Sequence, residues 1–281
     1  MSTHVSTSES GLPTVAVIGG GVIGSTLVSA MRVAGWPGAS ITVANRGDER
    51  REALVAAHDV VGTADAAEAV KGAAVVILAV KPQQMAEVLE GLVGSLEPGV
   101  VVLTVAAALP ASFYEERLPA HTPVIRVMPN TPSVVGRGAT SVSPGTHATE
   151  EHLLLAEKIL RATGLVVRVP EDLIEAVTVV AGSAPAYFFA VVEAITEAGV
   201  MHGLDREMSS LLAQQTFTGA AQLLAESGDT PQELRRRVSS PGGVTLAALE
   251  AMSNAGLQGV ISAGANAAVA RSKELGAQLA G

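Results

Sequence analysis

The stretch Val15-Ala16-Val17-Ile18-Gly19-Gly20-Gly21-Val22-Ile23-Gly24 decides the fold. Its first four residues read as a buried strand, and Gly19, Gly21 and Gly24 fit G-x-G-x-x-G directly after it. The residues from Val22 towards Ala34 read as a helix. In that setting the first glycine permits a tight turn, the second lets backbone approach a pyrophosphate, and the third lets the helix pack on the strand. The helix start, at Val22 and Ile23, offers unpaired N–H groups to phosphates. A glycine-rich turn without a ligand is the alternative reading.

Working outward, short β-branched runs alternate with helical stretches, at 15–18, 41–44, 75–80, 100–105, 124–127 and 166–169. That alternation predicts a mainly parallel sheet covered by helices: an α/β fold with an N-terminal Rossmann doubly wound sheet over 13–170. From 171 to 281 Ala, Leu, Glu and Gln dominate, and the domain reads as all helix. Pro185 is expected to kink or interrupt a helix, because proline removes a donor and clashes with the preceding turn. Thr230-Pro231-Gln232-Glu233 reads as a capping box, and further helices are expected after Gly243 and near Leu257. Thr149 is expected to start a helix with an acidic first turn. Residues 1–12 read as a disordered tail rather than a secretory signal, which needs an apolar core of about 7–15 residues.

Where NAD enzymes place an acid on the ribose diol, about twenty residues past the glycines, this chain has Ala44-Asn45-Arg46. Arg46 suits the 2′-phosphate of NADP and Asn45 a neutral hydrogen bond, which favours NADP, with NADPH as donor, over NAD. The competing reading leaves Arg46 as a solvated charge and gives the diol to Asp48. Val80 and Lys81 follow the strand at 75–80, at the carboxyl edge where open sheets bind ligands. Lys81 stands either near a cofactor phosphate or as a surface charge ahead of a helix.

Composition excludes several classes. A net charge of −9 argues against nucleic-acid or anionic-membrane partners, and zero cysteines rules out disulfides and thiolate chemistry, in keeping with a cytoplasmic protein. No stretch approaches the roughly 18 uninterrupted apolar residues of a membrane span. The histidines form no metal-ligand pattern, so no metal is expected. Arg235-Arg236-Arg237 reads as a solvated helix end, with Arg237 on a cofactor phosphate as the minor alternative.

Three further stretches carry a resemblance: Val127-Met128-Pro129-Asn130-Thr131-Pro132, Ala176-Val177-Thr178 through Gly182-Ser183-Ala184-Pro185-Ala186-Tyr187, and Val238-Ser239-Ser240-Pro241-Gly242-Gly243-Val244-Thr245. In order and spacing the chain resembles the pyrroline-5-carboxylate reductases, from about Val15 to Ala270. The resemblance implies NADPH-dependent reduction of 1-pyrroline-5-carboxylate to L-proline, the last step of proline biosynthesis. It also implies a helical dimerisation domain that interleaves with a second subunit in a homodimer or larger homo-oligomer. Ser240, Gly242, Gly243, Val244 and Thr245 would hold the substrate, with Thr245 near the ring nitrogen. Asn45, Arg46, Val80, Lys81 and Ala107 would fall on the cofactor side, and Asn130 near the nicotinamide. Two positions depart from the family pattern: Ala108 and Ala184 replace glycines, and strain or a narrowed site would follow if either needs positive φ or close approach.

The residue chemistry is compatible. Imine reduction needs a held hydride donor and a carboxylate anchor but no covalent nucleophile. Two glycines before a helix start offer N–H groups to a carboxylate even in a protein of net charge −9. Thr245 either caps that helix or faces the ligand, and a Thr hydroxyl is too weak an acid to do more than hydrogen-bond, so the substrate binds as iminium or is protonated through water. The β-hydroxyacid dehydrogenases resemble this architecture but use a lysine on the inter-domain helix. The chain has four lysines and none between Lys158 and Lys273. Reduction of a related cyclic imine and a non-catalytic NADP-binding protein complete the alternatives.

Overall fold

The computed structural model describes residues 11–280. The chain forms two compact units: one runs to Ser183 and takes in the chain from Val269 onward, the other is Ala184–Ala268. Most of the expected tail lies outside the described residues. Leu12, at its end, packs against the core.

The first unit carries one eight-stranded sheet: β1 (Val15–Ile18), β2 (Ile41–Ala44), β3 (Val61–Thr63), β4 (Val75–Leu78), β5 (Val101–Thr104), β6 (Val124–Met128), β7 (Gly138–Pro144) and β8 (Gly164–Arg168). Its order is β3-β2-β1-β4-β5-β6-β7-β8, parallel throughout except where β7 runs antiparallel to β6. The doubly wound reading is borne out, with β1 and β4 adjacent at the centre. Side chains alternate across the strands. Val15 and Val17 face a core with α1 (Val22–Val33), α2 (Asp48–His58) and, further along the chain, Leu153–Leu160. Ala16 and Ile18 face a second core built with α3 (Ala66–Ala69), α4 (Met85–Leu92) and α5 (Ala111–Glu115). On the first face α6 (Glu150–Leu160) starts at Thr149 as expected, and His152 Nδ1 accepts from the Thr149 N–H at 3.1 Å.

Two strands were not foreseen. β3 is paired only with β2 and half exposed, so it needs no apolar run. β7 is Gly-Ala-Thr-Ser-Val-Ser-Pro, buried on both faces, so its polar residues mask it. The expected strand at 75–80 ends at Leu78, because Ala79 and Val80 turn into the cleft described below.

Beyond β8, a short helix α7 (Ile174–Val177) runs into a π-turn, Thr178–Gly182. Glu171, ahead of α7, accepts from the Ala111 N–H and pairs with the buried Arg126, both at 2.7 Å. The second unit opens with α8 (Ala184–Met201), so the break expected at Pro185 falls in the π-turn just ahead of it, and the proline sits in the first turn, where its missing N–H costs nothing. α9 (Arg206–Ser227) folds back on α8, with Ser209 donating to the Thr196 carbonyl at 2.7 Å. α10 (Pro231–Arg237) is capped by Thr230, but Glu233 turns to Arg236 and Arg237 instead of closing a capping box. α11 (Val244–Asn254) and α12 (Leu257–Ala280) begin where expected.

One expectation needs correcting. The helical run Glu171–Met201 is long and apolar enough to cross a membrane by length and composition, with a window of mean hydropathy 1.5. The criterion of uninterrupted apolar residues missed it, because Gly182, Ser183 and Glu193 punctuate the run.

Candidate functional site

A cleft of about 1070 Å³ opens at the carboxyl ends of β1, β2 and β4. Gly19, with φ of +110°, makes the turn out of β1, and its N–H donates to the Ala44 carbonyl at 2.9 Å. A side chain there would meet the Ala79 carbonyl oxygen at 2.6 Å. At Gly24 it would meet the Gly19 oxygen at 2.0 Å, so the first and third glycines serve close packing. Gly21 is different. It stands at the N-cap of α1 with no side-chain cap and nothing within 4 Å of where a Cβ would point. The uncapped start of α1 therefore borders open space at Gly21, at the positive end of the helix; Val22 is exposed, Ile23 half-buried and Gly24 buried, and none of the three is among the residues lining the cleft.

Asn45 staples this turn. Its Oδ1 accepts from the Gly20 N–H at 3.1 Å and its Nδ2 donates to the Gly47 carbonyl at 2.9 Å. Arg46, Val80 and Lys81 line the cleft together with Gly19, Gly21 and Asn45. Arg46 is exposed and lies 3.5 Å from Glu87 of α4. Asp48 also lines the cleft, with one carboxylate oxygen paired to Arg51 at 2.5 Å.

Ala107 and Asn130 are not among the residues lining this cleft. Ala107 is exposed in the turn between β5 and α5. Asn130 is buried and both ends of its amide are engaged: Nδ2 donates to the Ala181 carbonyl at 3.1 Å, and Oδ1 accepts from the Ala139 N–H at 2.9 Å. The neighbouring Ala108 has φ of +71°, in the left-handed region, whereas Ala184 does not.

In the second unit the 240–245 segment forms the entry to α11. Gly242 has φ of +70°, Gly243 is the N-cap, and its N–H donates to the Ser240 carbonyl at 2.9 Å. No side chain caps this helix. Val244 and Thr245 are exposed, and the Thr245 hydroxyl has no partner among the described residues, so it is not a helix cap. Arg237 is held by Asp229 and Glu233, which takes up its charge within the local helix.

Comparison with known proteins bears on both units. Residues 171–275 match the family model for pyrroline-5-carboxylate reductase dimerisation. Residues 14–108 match the model for NADP oxidoreductase, coenzyme F420-dependent. The pyrroline-5-carboxylate reductase of Corynebacterium melassecola is 41% identical over 268 residues, covering 94% of this chain and 99% of that protein. The chain belongs to the pyrroline-5-carboxylate reductase family. The solved member from Coxiella burnetii superposes with a TM-score of 0.89 at 35% identity, over 94% of this chain and 98% of that one. The Plasmodium falciparum pyrroline carboxylate reductase, solved with NADP bound, shares the fold at a TM-score of 0.82 and 23% identity, over 94% of this chain and 98% of that one. The motif-based resemblance is thereby borne out.

Two cleft residues escaped the motif reading. Arg50, four residues past Arg46 and in the first turn of α2, lines the cleft and has no ion-pair partner among the described residues; a second cation so close in sequence was a usable signal. Glu87 reaches the same space from α4, and only the strand order brings that helix there.

Proposed function

We propose that this chain reduces 1-pyrroline-5-carboxylate to L-proline with NADPH, the last step of proline biosynthesis. The observation that carries the reading is 41% identity to a pyrroline-5-carboxylate reductase across 94% of the chain. On this reading 13–170 is the dinucleotide-binding domain and 171–281 the helical substrate and dimerisation domain.

The cleft suits the cofactor, which supplies the hydride when bound. Open space at Gly21 and the uncapped start of α1 fit a pyrophosphate. Arg46 and Arg50 supply cations for a 2′-phosphate, Lys81 adds a third at the cleft wall, and Asp48 pairs with Arg51. Val80 and Ala107 flank the path towards the reacting end, and Asn130 braces it. At the substrate side, Gly242 and Gly243 present backbone to the carboxylate at the uncapped start of α11, assisted by Ser240 and Val244. The unpartnered Thr245 hydroxyl bonds the ring nitrogen, whose basicity rises as hydride arrives; the proton itself comes with an iminium substrate or through water.

The protein acts as a homodimer or larger homo-oligomer with interleaved helical domains, in the cytoplasm, without nucleic-acid or membrane partners. Its acidic balance of −9 supports the last point. The test follows NADPH absorbance with pyrroline-5-carboxylate, its six-membered homologue and, in reverse, hydroxy acids. Fastest turnover with the five-membered imine is expected. Hydroxy-acid oxidation without imine reduction, or tight NADPH binding with no turnover, sinks the reading, and a clear preference for NADH at equal concentration sinks the cofactor assignment.

A further inference from the structure

Arg46 and Glu87 face each other across the mouth of the cleft. Arg46 follows β2, Glu87 stands on α4, and Nη1 lies 3.5 Å from Oε1. Both side chains are about seven-tenths exposed, at 70% and 73%, so the pair contributes little to holding the fold. Three other acids line the cleft: Asp48 pairs with Arg51, the Asp65 carboxylate caps α3 through the Ala67 N–H at 2.8 Å, and Glu49 stands in the first turn of α2 with no ion partner among the described residues. Glu87 has Arg46 as its ion partner, and both line the cleft.

We infer that Glu87 is a specificity-tuning residue: it holds Arg46 in place across the cleft and competes with a ribose 2′-phosphate for it, so its charge sets how strongly NADPH is preferred over NADH. The inference rests on the NADP reading of the cleft. A phosphate arriving at Arg46 shares or draws away the guanidinium that faces the carboxylate, and that anion stays on the same wall, where its charge opposes the phosphate. A 2′-hydroxyl makes no such demand, so NADH binding is insensitive to the charge at position 87. Removing the charge while keeping the shape therefore raises affinity for the 2′-phosphate alone. Arg50, unpaired on the same rim, completes the cationic pair once Arg46 turns.

The test is calorimetric binding of 2′,5′-ADP and 5′-AMP to the full chain, to Glu87→Gln, to Arg46→Ala and to the double variant. Gln matches Glu in helix propensity, and the site is exposed, so folding is preserved. Glu87→Gln is expected to bind 2′,5′-ADP about threefold tighter, the size of an exposed ion pair, with 5′-AMP unchanged. That gain is expected to vanish in the Arg46→Ala background. A wild-type protein that prefers 2′,5′-ADP while Glu87→Gln leaves its affinity unchanged overturns this inference alone, as does a gain that persists without Arg46. Equal wild-type affinity for the two nucleotides overturns the NADP reading and the inference with it.

Discussion

At the scale of single residues, the site depends on groups left without local partners and on one alanine in a glycine conformation. Thr245 sits in the first turn of α11, exposed, with its hydroxyl unbonded. A hydroxyl bonded to a charged or charging nitrogen is worth about 1.5 kcal/mol or more, which is roughly tenfold in rate. Thr245→Ala is therefore expected to lower kcat/KM about tenfold while NADPH affinity stays near normal; unchanged steady-state kinetics would remove Thr245 from the mechanism. Ala108 carries φ of +71°, and α12 comes so close that a Cβ on Gly276 would stand 2.8 Å from the Ala108 carbonyl oxygen. The left-handed conformation costs an alanine about 1–2 kcal/mol, of which a glycine returns about half through its looser unfolded chain. Ala108→Gly is expected to raise unfolding stability by about 0.5–1 kcal/mol. Equal or lower stability in urea titrations would show that the surrounding packing, and not the dihedral, sets the energy. The strain raised as a concern by the sequence thus falls on Ala108 alone, since Ala184 sits in ordinary helical backbone at the start of α8.

Among the elements, β5, α5 and β6 share a buried polar cluster that predicts a pH response. The Thr104 hydroxyl donates to the Tyr114 hydroxyl oxygen at 2.7 Å, beside the ion pair of Arg126 with Glu171. Burial pushes the Tyr114 phenol from its ordinary 10.0 up to about 12, opposed by the Thr104 bond and the Arg126 charge. The unfolded chain then loses its phenolic proton first, so the stability carried by neutral Tyr114 is complete below pH 10 and is lost as pH rises towards about 12. Tyr114→Phe is expected to flatten that alkaline loss and to cost about 1 kcal/mol at neutral pH through the missing bond. Denaturant midpoints at neutral and alkaline pH check it, and an unchanged alkaline slope counts against the assignment. Elements of this kind differ in how openly the sequence declares them. β1, β2 and the starts of α6, α10, α11 and α12 are written in apolar runs, caps and glycines. β7 is not, because a strand buried on both faces shows no alternation and its residues are largely small and polar. The π-turn at Thr178–Gly182 escapes for a related reason: one wider turn leaves no periodic trace in five residues.

The whole molecule poses a burial problem that one chain does not solve. Within Ala184–Ala268 the only fully buried apolar side chains are Ala184, Pro185 and Ala213. Phe188 and Phe189 on α8 are 51% and 60% exposed, and Leu211 on α9 is 63% exposed. So large an apolar surface marks a binding face rather than a solvated one. The site has the same character: the cleft at β1, β2 and β4 was legible from glycines and Arg46, because one local segment builds most of it. The 240–245 segment was legible only through family motifs, because its glycines and uncapped helix start carry no distinctive side chains. Two solvents could cover the helical face, a second copy or a lipid phase, and the apolar run Glu171–Met201 meets the compositional test for the latter. The match of residues 171–275 to a dimerisation model favours the former. Light scattering without detergent is therefore expected to give at least twice the 28.4 kDa of one chain. Charges placed on the open face should undo this, because each buried unpaired carboxylate costs several kcal/mol. The double substitution Phe189→Glu, Leu211→Glu is expected to bring the mass to that of one chain and to abolish turnover, while α1 and its cleft still bind 2′,5′-ADP. A variant that keeps its oligomeric mass would show that this face is not the contact, and a wild-type chain that stays dispersed only in detergent would overturn the homo-oligomer.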